Sequence, residues 1–318
     1  MPRKIMRRLA LLVLALSWAR EAGAVTPFED PYDLPEAPRA PTLPELTHPD
    51  IEGTFEATLG LLTPKSNTPS WSHATPSYVQ RLGVEMPLGP RRLFVGANYE
   101  AAFGGPPDAN GSAKVVGGNL EAYGRAVWAT RTGLAFGGGL SLMLPAATFD
   151  QGGAAEKIAT AAAAVRPWDF SFFNAEAWTA RPFVDMRAVD GRFVVQLRAQ
   201  LDWSFITGDA TKSALSAVAA LYLGYRFGRV GVGLEAFELY FIDARVPDNA
   251  RAYFSVSPSV RVMTPWVQPA ISLLTNVRDP LYPSSSRAIG VRLAITAVWD
   301  RTTSRIQMGS SEASEPAE

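Results

Sequence analysis

The sequence predicts an all-β protein, an antiparallel transmembrane β-barrel of about twelve strands with a short helix in one long extracellular loop. Two observations predict it. Between residues 51 and 299, short segments alternate apolar and polar residues, and the links between them alternate between short and long. The clearest segment is 195–203, in which one face is wholly apolar and the other is strongly polar. Because successive side chains of a strand point to opposite faces, such a segment separates two different environments.

The predicted strands are close to the roughly 9–11 residues that a tilted membrane strand requires. The links after the second, fourth, sixth, eighth and tenth strands are tight, and Asp190-Gly191 suits a hairpin turn with positive φ. The other links are longer, as expected of extracellular loops opposite short periplasmic turns. The predicted strands are 52–62, 77–88, 92–103, 114–128, 133–144, 179–189, 192–206, 215–227, 230–242, 252–263, 266–276 and 288–299. The predicted long links are 63–76, 104–113, 145–178, 207–214, 243–251 and 277–287.

The chain divides into four parts around this barrel. Residues 1–24 predict a secretory signal peptide, because a basic start and an apolar run precede the small-residue cleavage site Ala22-Gly23-Ala24. Residues 25–50 are rich in proline and favour an extended periplasmic arm, with a plug segment or a peptide ligand for a periplasmic partner as the alternative. Residues 51–299 form the barrel. Residues 300–318 are small and acidic, and we expect a disordered tail.

Composition excludes several functional classes. Hydrophobic residues make up 47% of the chain, charged residues 19%, and the formal net charge is zero, so no basic face predicts nucleic-acid binding. The absence of cysteine excludes disulfides and thiolate metal sites. With two histidines and no metal-ligand spacing, we expect no metal and no cofactor.

Catalysis has little support in the sequence, and we expect no enzyme. His48 lies in the proline-rich arm, and His73 follows Ser72 in the first extracellular loop. Adjacent residues of an extended chain point apart, and a catalytic triad is recognised by geometry. A barrel-embedded hydrolase with His73 as its base is therefore a remote alternative.

Aromatic residues of the apolar phase collect near the strand ends, where amphipathic rings favour the membrane interfaces. Glu238 is the exception in this phase, so either a bulge shifts the register or the residue stands above the membrane. The rings near the ends of descending strands are Trp128, Tyr225, Phe227 and Trp299. The rings near the ends of ascending strands are Tyr99, Phe103, Trp203 and Phe205.

With these features, residues 51–299 resemble a bacterial outer-membrane β-barrel. The last strand, 288–299, ends in Trp299 and resembles the aromatic-ended signal read by the barrel-assembly machinery, although the chain continues to Glu318. The resemblance implies a place in the cell outer membrane, surrounded by its lipid, and assembly by that machinery. It indicates a class and matches no particular porin or transporter family.

The inward phase of the strands carries acids and bases in balance. Four arginines precede short turns, and we expect them to form a partial basic ring at the periplasmic mouth, which would select anions. Alternatively, paired charges fill a closed barrel. The ring consists of Arg125, Arg187, Arg226 and Arg261. The predicted pore-lining residues are Arg125, Arg187, Arg198, Arg226, Arg261, Arg292, Glu85, Glu121, Asp202 and Glu235.

The loop 145–178 is the second distinctive feature. Its alanine-rich stretch 154–165 predicts a helix, which Pro167 ends. An aromatic cluster follows, and the loop could fold into the mouth as a lid or pack outside as a cap. The predicted lid residues are Trp168, Phe170, Phe172, Phe173 and Trp178.

Two main functions follow from these predictions. The first is a restricted channel or small-solute transporter with a mild anion preference, which would take a small anionic or polar solute. The second is a closed structural or adhesive barrel that acts through its extracellular loops. A soluble exported β-sandwich is a further alternative, because alternation alone also suits that fold.

Overall fold

A computed structural model describes most of the barrel and the long loop. The described residues are 40, 43, 46, 51–64, 75–88, 93–104, 115–129, 133–149, 153–206, 209–242, 251–264, 266–277 and 285–299.

Within these described residues, twelve antiparallel strands form one closed barrel, which confirms the predicted fold class. The last strand pairs with the first, from Ile51 opposite Trp299 to Thr63 opposite Arg287. Closure gives every strand two neighbours and leaves no open edge. The strands are β1 (Ile51–Pro64), β2 (Thr75–Leu88), β3 (Leu93–Phe103), β4 (Val115–Ala129), β5 (Leu134–Leu144), β6 (Ala177–Asp190), β7 (Phe193–Ile206), β8 (Asp209–Phe227), β9 (Val230–Phe241), β10 (Ala252–Val262), β11 (Val267–Asn276) and β12 (Ser285–Trp299).

The alternating apolar and polar residues of the strands form the outer and inner faces of the barrel. On β7, Leu201 and Trp203 are exposed on the outer face, whereas Gln200 and Asp202 are buried on the inner face. The same arrangement on the other strands covers the outer surface with leucine, valine and aromatic side chains. A surface of this kind is stable in lipid, which accepts apolar groups and excludes charged ones.

The link between β7 and β8 is shorter than predicted. β8 begins at Asp209, so the prediction of a long link over 207–214 is wrong. Ser213 still pairs with Phe205, and a register shift lies between Phe205 and Ile206. The sequence predicts a loop at 209–213 because these polar residues lack the apolar alternation of the rest of β8.

The turns before β7 and β9 each contain a glycine in the left-handed region, with φ of 57° at Gly191 and 58° at Gly228. Only a residue without a side chain takes this conformation at little cost. Asp190-Gly191 therefore forms the predicted hairpin turn between β6 and β7.

Glu238 keeps its outward phase between the inward-facing Phe237 and Leu239. β9 pairs with β8 and with β10 without a register shift, so the bulge alternative is wrong. The residue lies near the extracellular end of β9, opposite Phe254 of β10.

The long loop folds into the barrel. Its helix α1 (Ala154–Val165) contacts β1–β4, β11 and β12, and a 3₁₀ helix, Pro167–Phe173, contacts β4 and β9. Neither helix of the described residues is long and apolar enough to span a bilayer.

Apolar residues on the inner wall receive the loop. One cluster joins Ile158, Ala159 and Ala162 of α1 to inward-facing residues in the extracellular halves of β2 to β5. Val165 packs at the seam between β1 and β12, over Gly60 and Gly290, which pair across it. Glycine is required there, because a side chain at position 60 would collide with Val165. The wall residues of this cluster are Val79, Ala102, Val116 and Met143.

Leu201→Arg would place a guanidinium on the outer face near the middle of β7. We expect the free energy of unfolding in lipid vesicles to fall by about 2–4 kcal/mol, because the charge enters lipid. Gln200→Arg is the control, since Gln200 faces the lumen, and it should cost far less. Urea titration read by heat-modifiable gel migration measures both changes. Equal costs would contradict the register of β7.

Candidate functional site

The lumen contains a cavity of about 120 Å³ beneath the inserted loop. One side of it is polar, with Glu52 and Glu56 from β1 and Arg81 and Glu85 from β2. The other side is largely apolar, with Val218 and Ala220 from β8 and Phe237 from β9. The cavity is further lined by Thr54, Asn98, Glu121, Tyr123, Trp168, Asp169, Arg181, Phe183, Arg198, Gln200, Arg261 and Thr296.

Arg166, which follows α1, is the centre of the charge network that holds the loop. It is completely buried, and its Nη2 lies 2.5 Å from Asp169, 3.1 Å from Glu56 and 3.4 Å from Glu100. Glu56 and Glu100 belong to β1 and β3, so this one side chain connects the loop to the wall. A buried cation without such partners would cost several kcal/mol.

The network continues through two arginines of the wall. Arg81 of β2 lies 3.4 Å from Asp169, and Arg181 of β6 lies 2.8 Å from Asp202 and 3.2 Å from Glu121. Burial alone would raise the pKa of the Asp169 carboxyl, but Arg166 and Arg81 outweigh burial and hold that pKa below its ordinary value. Asp169 therefore remains ionised between two cations.

Further hydrogen bonds add to the attachment of the loop. The side-chain amide of Asn119 on β4 donates to the carbonyls of Ser171 (3.0 Å) and Asn174 (2.9 Å). Its oxygen accepts from the backbone N–H of Ala147 (2.9 Å). Ser171 donates to Asp202 at 2.7 Å. One asparagine thus binds both ends of the inserted segment.

Several of the predicted pore-lining residues form ion pairs across the inner wall. Arg125 makes two hydrogen bonds to Glu85, at 2.8 and 2.5 Å, and lies over the ring of Phe94. Arg198 lies 2.7 Å from Asp185. Arg292 of β12 reaches Glu235 of β9 at 2.8 Å. Together with Glu121 and Asp202 in the loop network, these residues face the lumen.

The four arginines of the predicted basic ring have different surroundings. Arg125 is neutralised by Glu85. Arg261 is buried and donates to Thr296 (3.1 Å) and Gln268 (3.5 Å). Arg226 is more exposed and donates to the carbonyl of Gly228 in the adjacent turn. Arg187 is buried on the inner face of β6.

Four of the five predicted lid residues lie inside the barrel. Trp168 stacks on Phe237 with 4.0 Å between ring centroids, and Phe170 meets Phe241 edge to face. Phe172 and Phe173 pack in the cluster around α1. Trp178 is separate from them, because it belongs to β6 and lies in its outward phase.

Three described residues of the proline-rich segment also lie against the inner wall of the barrel. Ala40, Leu43 and Leu46 are buried, and Leu46 packs with residues at the periplasmic ends of β3, β4 and β5. A tether free in the periplasm would leave these side chains in water, whereas the alternative of a plug segment places them inside the barrel. The residues around Leu46 are Phe94, Val127 and Ala135.

Other predictions fall outside the described residues. The signal peptide, the C-terminal tail, His48 and His73 are among them. Among the described residues, no group of histidine and acidic side chains could hold a metal ion.

The sequence predicts a role for the aromatic residues around Arg166 and Asp169 but not for this charged pair itself. A charged pair in an apolar segment was the available signal. For the arm, the signal was the spacing of Ala40, Leu43 and Leu46 by three residues, which is the repeat of a polyproline helix.

Comparison with known proteins supports the fold. No family model and no curated protein sequence matches the chain. An outer-membrane channel from Pseudomonas putida F1 is similar in structure, with a TM-score of 0.58 over 80% of this chain and 97% of its own, at 12% identity. The NanC porin is less similar, with a TM-score of 0.49 over 76% of this chain and 98% of its own, at 11% identity. At such identities the likeness concerns the fold, which is that of a bacterial outer-membrane β-barrel.

The position of the arm predicts a disulfide between Leu46→Cys and Gly137→Cys. A Cβ at position 137 would lie 3.3 Å from a methyl carbon of Leu46, so side chains at these two positions meet, and two cysteine sulfurs placed there would be close neighbours. Oxidation should remove both thiols from maleimide labelling, and the chain has no other cysteine. Leu46→Cys with Phe136→Cys is the control, because Phe136 faces outward. Labelling that persists in the first pair, or disappears equally in both, would contradict an arm inside the barrel.

Proposed function

We propose that the protein is an outer-membrane channel for small polar solutes, restricted by its inserted loop. The observation that carries the proposal is the charged lumen with a cavity directly beneath the loop. The paired charges and amides around this cavity favour water and polar groups over wholly apolar solutes. A barrel of twelve strands is also wider than the eight-stranded barrels that side chains alone can fill.

The loop is the main constriction in this proposal. It is held at the wall by Arg166, Asp169 and Asn119, whose polar contacts water can replace. Release of the loop would join the cavity to the extracellular side. A closed structural barrel, by contrast, would keep the loop seated under all conditions and carry no current.

Single-channel recording in planar bilayers distinguishes these two functions. Asn119→Ala removes three hydrogen bonds between loop and wall and should weaken loop docking by about 2–4 kcal/mol. We expect a larger or more often open conductance than in the wild type.

Asn98→Ala is the matched control for this change. Asn98 also lines the lumen, on the neighbouring strand β3, but donates to Glu121 of the wall. Its conductance should stay close to that of the wild type. If both variants and the wild type are silent, the channel proposal fails.

A mild anion preference is the finer part of the proposal. Arg187, Arg226 and Arg261 support it, because they lie toward the periplasmic end of the lumen. The preference should be small, since Glu85 neutralises Arg125. A guanidinium keeps its charge throughout the pH range of interest, so the preference should not titrate near neutrality.

Arg226→Gln should shift the reversal potential in a salt gradient toward cations. The shift should shrink at high salt, because exposed charges are screened over roughly 8–10 Å at physiological ionic strength. Arg229→Gln is the control, as it removes the same charge from the exposed turn between β8 and β9. A reversal potential that neither change alters would remove the basic ring from the mechanism.

A further inference from the structure

An apolar strip runs along the inner wall from β6 to β9. It begins near the periplasmic end and continues to the level of the inserted loop. Its members are inward-facing and almost fully buried, although the rest of the lumen is rich in charge. Apolar side chains that face a wet lumen lose the stabilisation that burial would provide, so the strip requires a cover. The strip consists of Val189, Val194, Val218, Ala220, Tyr222 and Phe237.

Part of that cover comes from outside the barrel wall. Ala40 and Leu43 of the arm belong to the same apolar cluster as the strip and are 3% and 7% exposed. Both also line the cavity. The wall is closed by continuous strand pairing, whereas the described contacts of these two residues are apolar. Ala40 and Leu43 are therefore the part of the cover that can be exchanged.

The sequence of the arm suits an occupant of a narrow lumen. Ala40, Leu43 and Leu46 recur every three residues, and the prolines at 35, 38, 41 and 44 follow the same spacing. A polyproline helix has three residues per turn, so this spacing favours one apolar face on a thin, stiff segment. Such a segment loses little conformational entropy when it is placed in a lumen.

A second observation points to a ligand. Trp168 is 5% exposed and lines the cavity at the end of the strip, where it stacks on Phe237. Its indole N–H has no hydrogen-bond partner among the described residues. A buried donor without an acceptor is costly, and an acceptor oxygen on a bound molecule would remove that cost.

The side of the cavity opposite the strip is polar. In a closed barrel of twelve strands, β8 and β9 lie across from β2 and β3. The strip therefore faces Arg81, Glu85 and Asn98, which also line the cavity. A molecule between these walls meets apolar groups on one side and polar groups on the other.

We propose that the strip binds the apolar part of a small amphiphilic solute whose acceptor oxygen reaches the indole N–H of Trp168. Ala40 and Leu43 hold the place of that apolar part until the solute displaces them. The inference rests on the proposed channel function and adds the class of solute to it.

Benzamide and acetamide are suitable probes, because they share an acceptor carbonyl and only benzamide has an apolar ring. Binding is measured by calorimetry on the purified full-length barrel in detergent. Leu43→Asp should expel the arm residue from the strip, and benzamide should then bind about tenfold more tightly than to the wild type, because more molecules have a vacant site. Leu43→Ile keeps an apolar side chain and should resemble the wild type. Acetamide should show no such difference.

Two further substitutions test whether benzamide binds on the strip. In the Leu43→Asp background, Phe237→Ser should abolish the gain, whereas Phe136→Ser, on the outer face, should leave it intact. Trp168→Phe keeps a ring but removes the N–H, and it should reduce benzamide affinity several-fold without preventing folding.

Equal benzamide affinity in the wild type and Leu43→Asp would overturn the inference, as would a gain that survives Phe237→Ser or an affinity that Trp168→Phe leaves unchanged. Current recording separates this result from the proposed function. If the wild type carries no current but Leu43→Asp binds benzamide more tightly than the wild type, the site exists and the protein is not a channel. If the wild type carries current but Leu43→Asp does not increase the affinity for benzamide, the protein is a channel and this site does not exist.

Discussion

Lipid offers no hydrogen bonds to a backbone, and this constraint determines the rest of the structure. Every strand in the membrane must pair on both sides, so the sheet closes through β1 and β12. Closure creates a lumen, and the twelve strands make that lumen too wide for the wall side chains alone to fill. The chain fills part of it with its own loop and with residues of its own arm. The candidate site is the space that remains.

Ion pairs and apolar contacts together hold the loop against the inner wall. Arg166 and Asp169 fit among Glu56, Glu100 and Arg81, while α1 packs on small and apolar residues of the wall. Buried ion pairs contribute little net stability, since desolvation offsets their attraction. They do specify one position, because a displaced loop would leave buried carboxylates without their cations. The apolar contacts supply most of the stabilisation, and the charges select the geometry.

The barrel could be predicted from sequence because lipid imposes a two-residue period on every strand it surrounds. The same reasoning failed at 209–213, where the first residues of β8 lack the apolar alternation that marks a lipid-facing strand. It left open whether the loop enters the lumen, because the partners of Arg166 lie on β1 and β3, far away in the chain. It identified inward charges such as Arg125 and Glu85, but not which of them pair. The arm at 40–46 carried a three-residue period that an analysis based on strands does not consider.

The position of Val165 links loop docking to the assembly of the barrel. Its side chain lies over Gly60 and Gly290, which face each other across the only junction that joins the two ends of the sheet. A helix seated there contacts both edges at once, as α1 does with β1 and β12. Its contacts are complete only when the ring is sealed, and the ring is held more firmly when the helix is seated. Release of the loop, which the proposed channel function requires, is therefore thermodynamically coupled to loosening of the junction between β1 and β12.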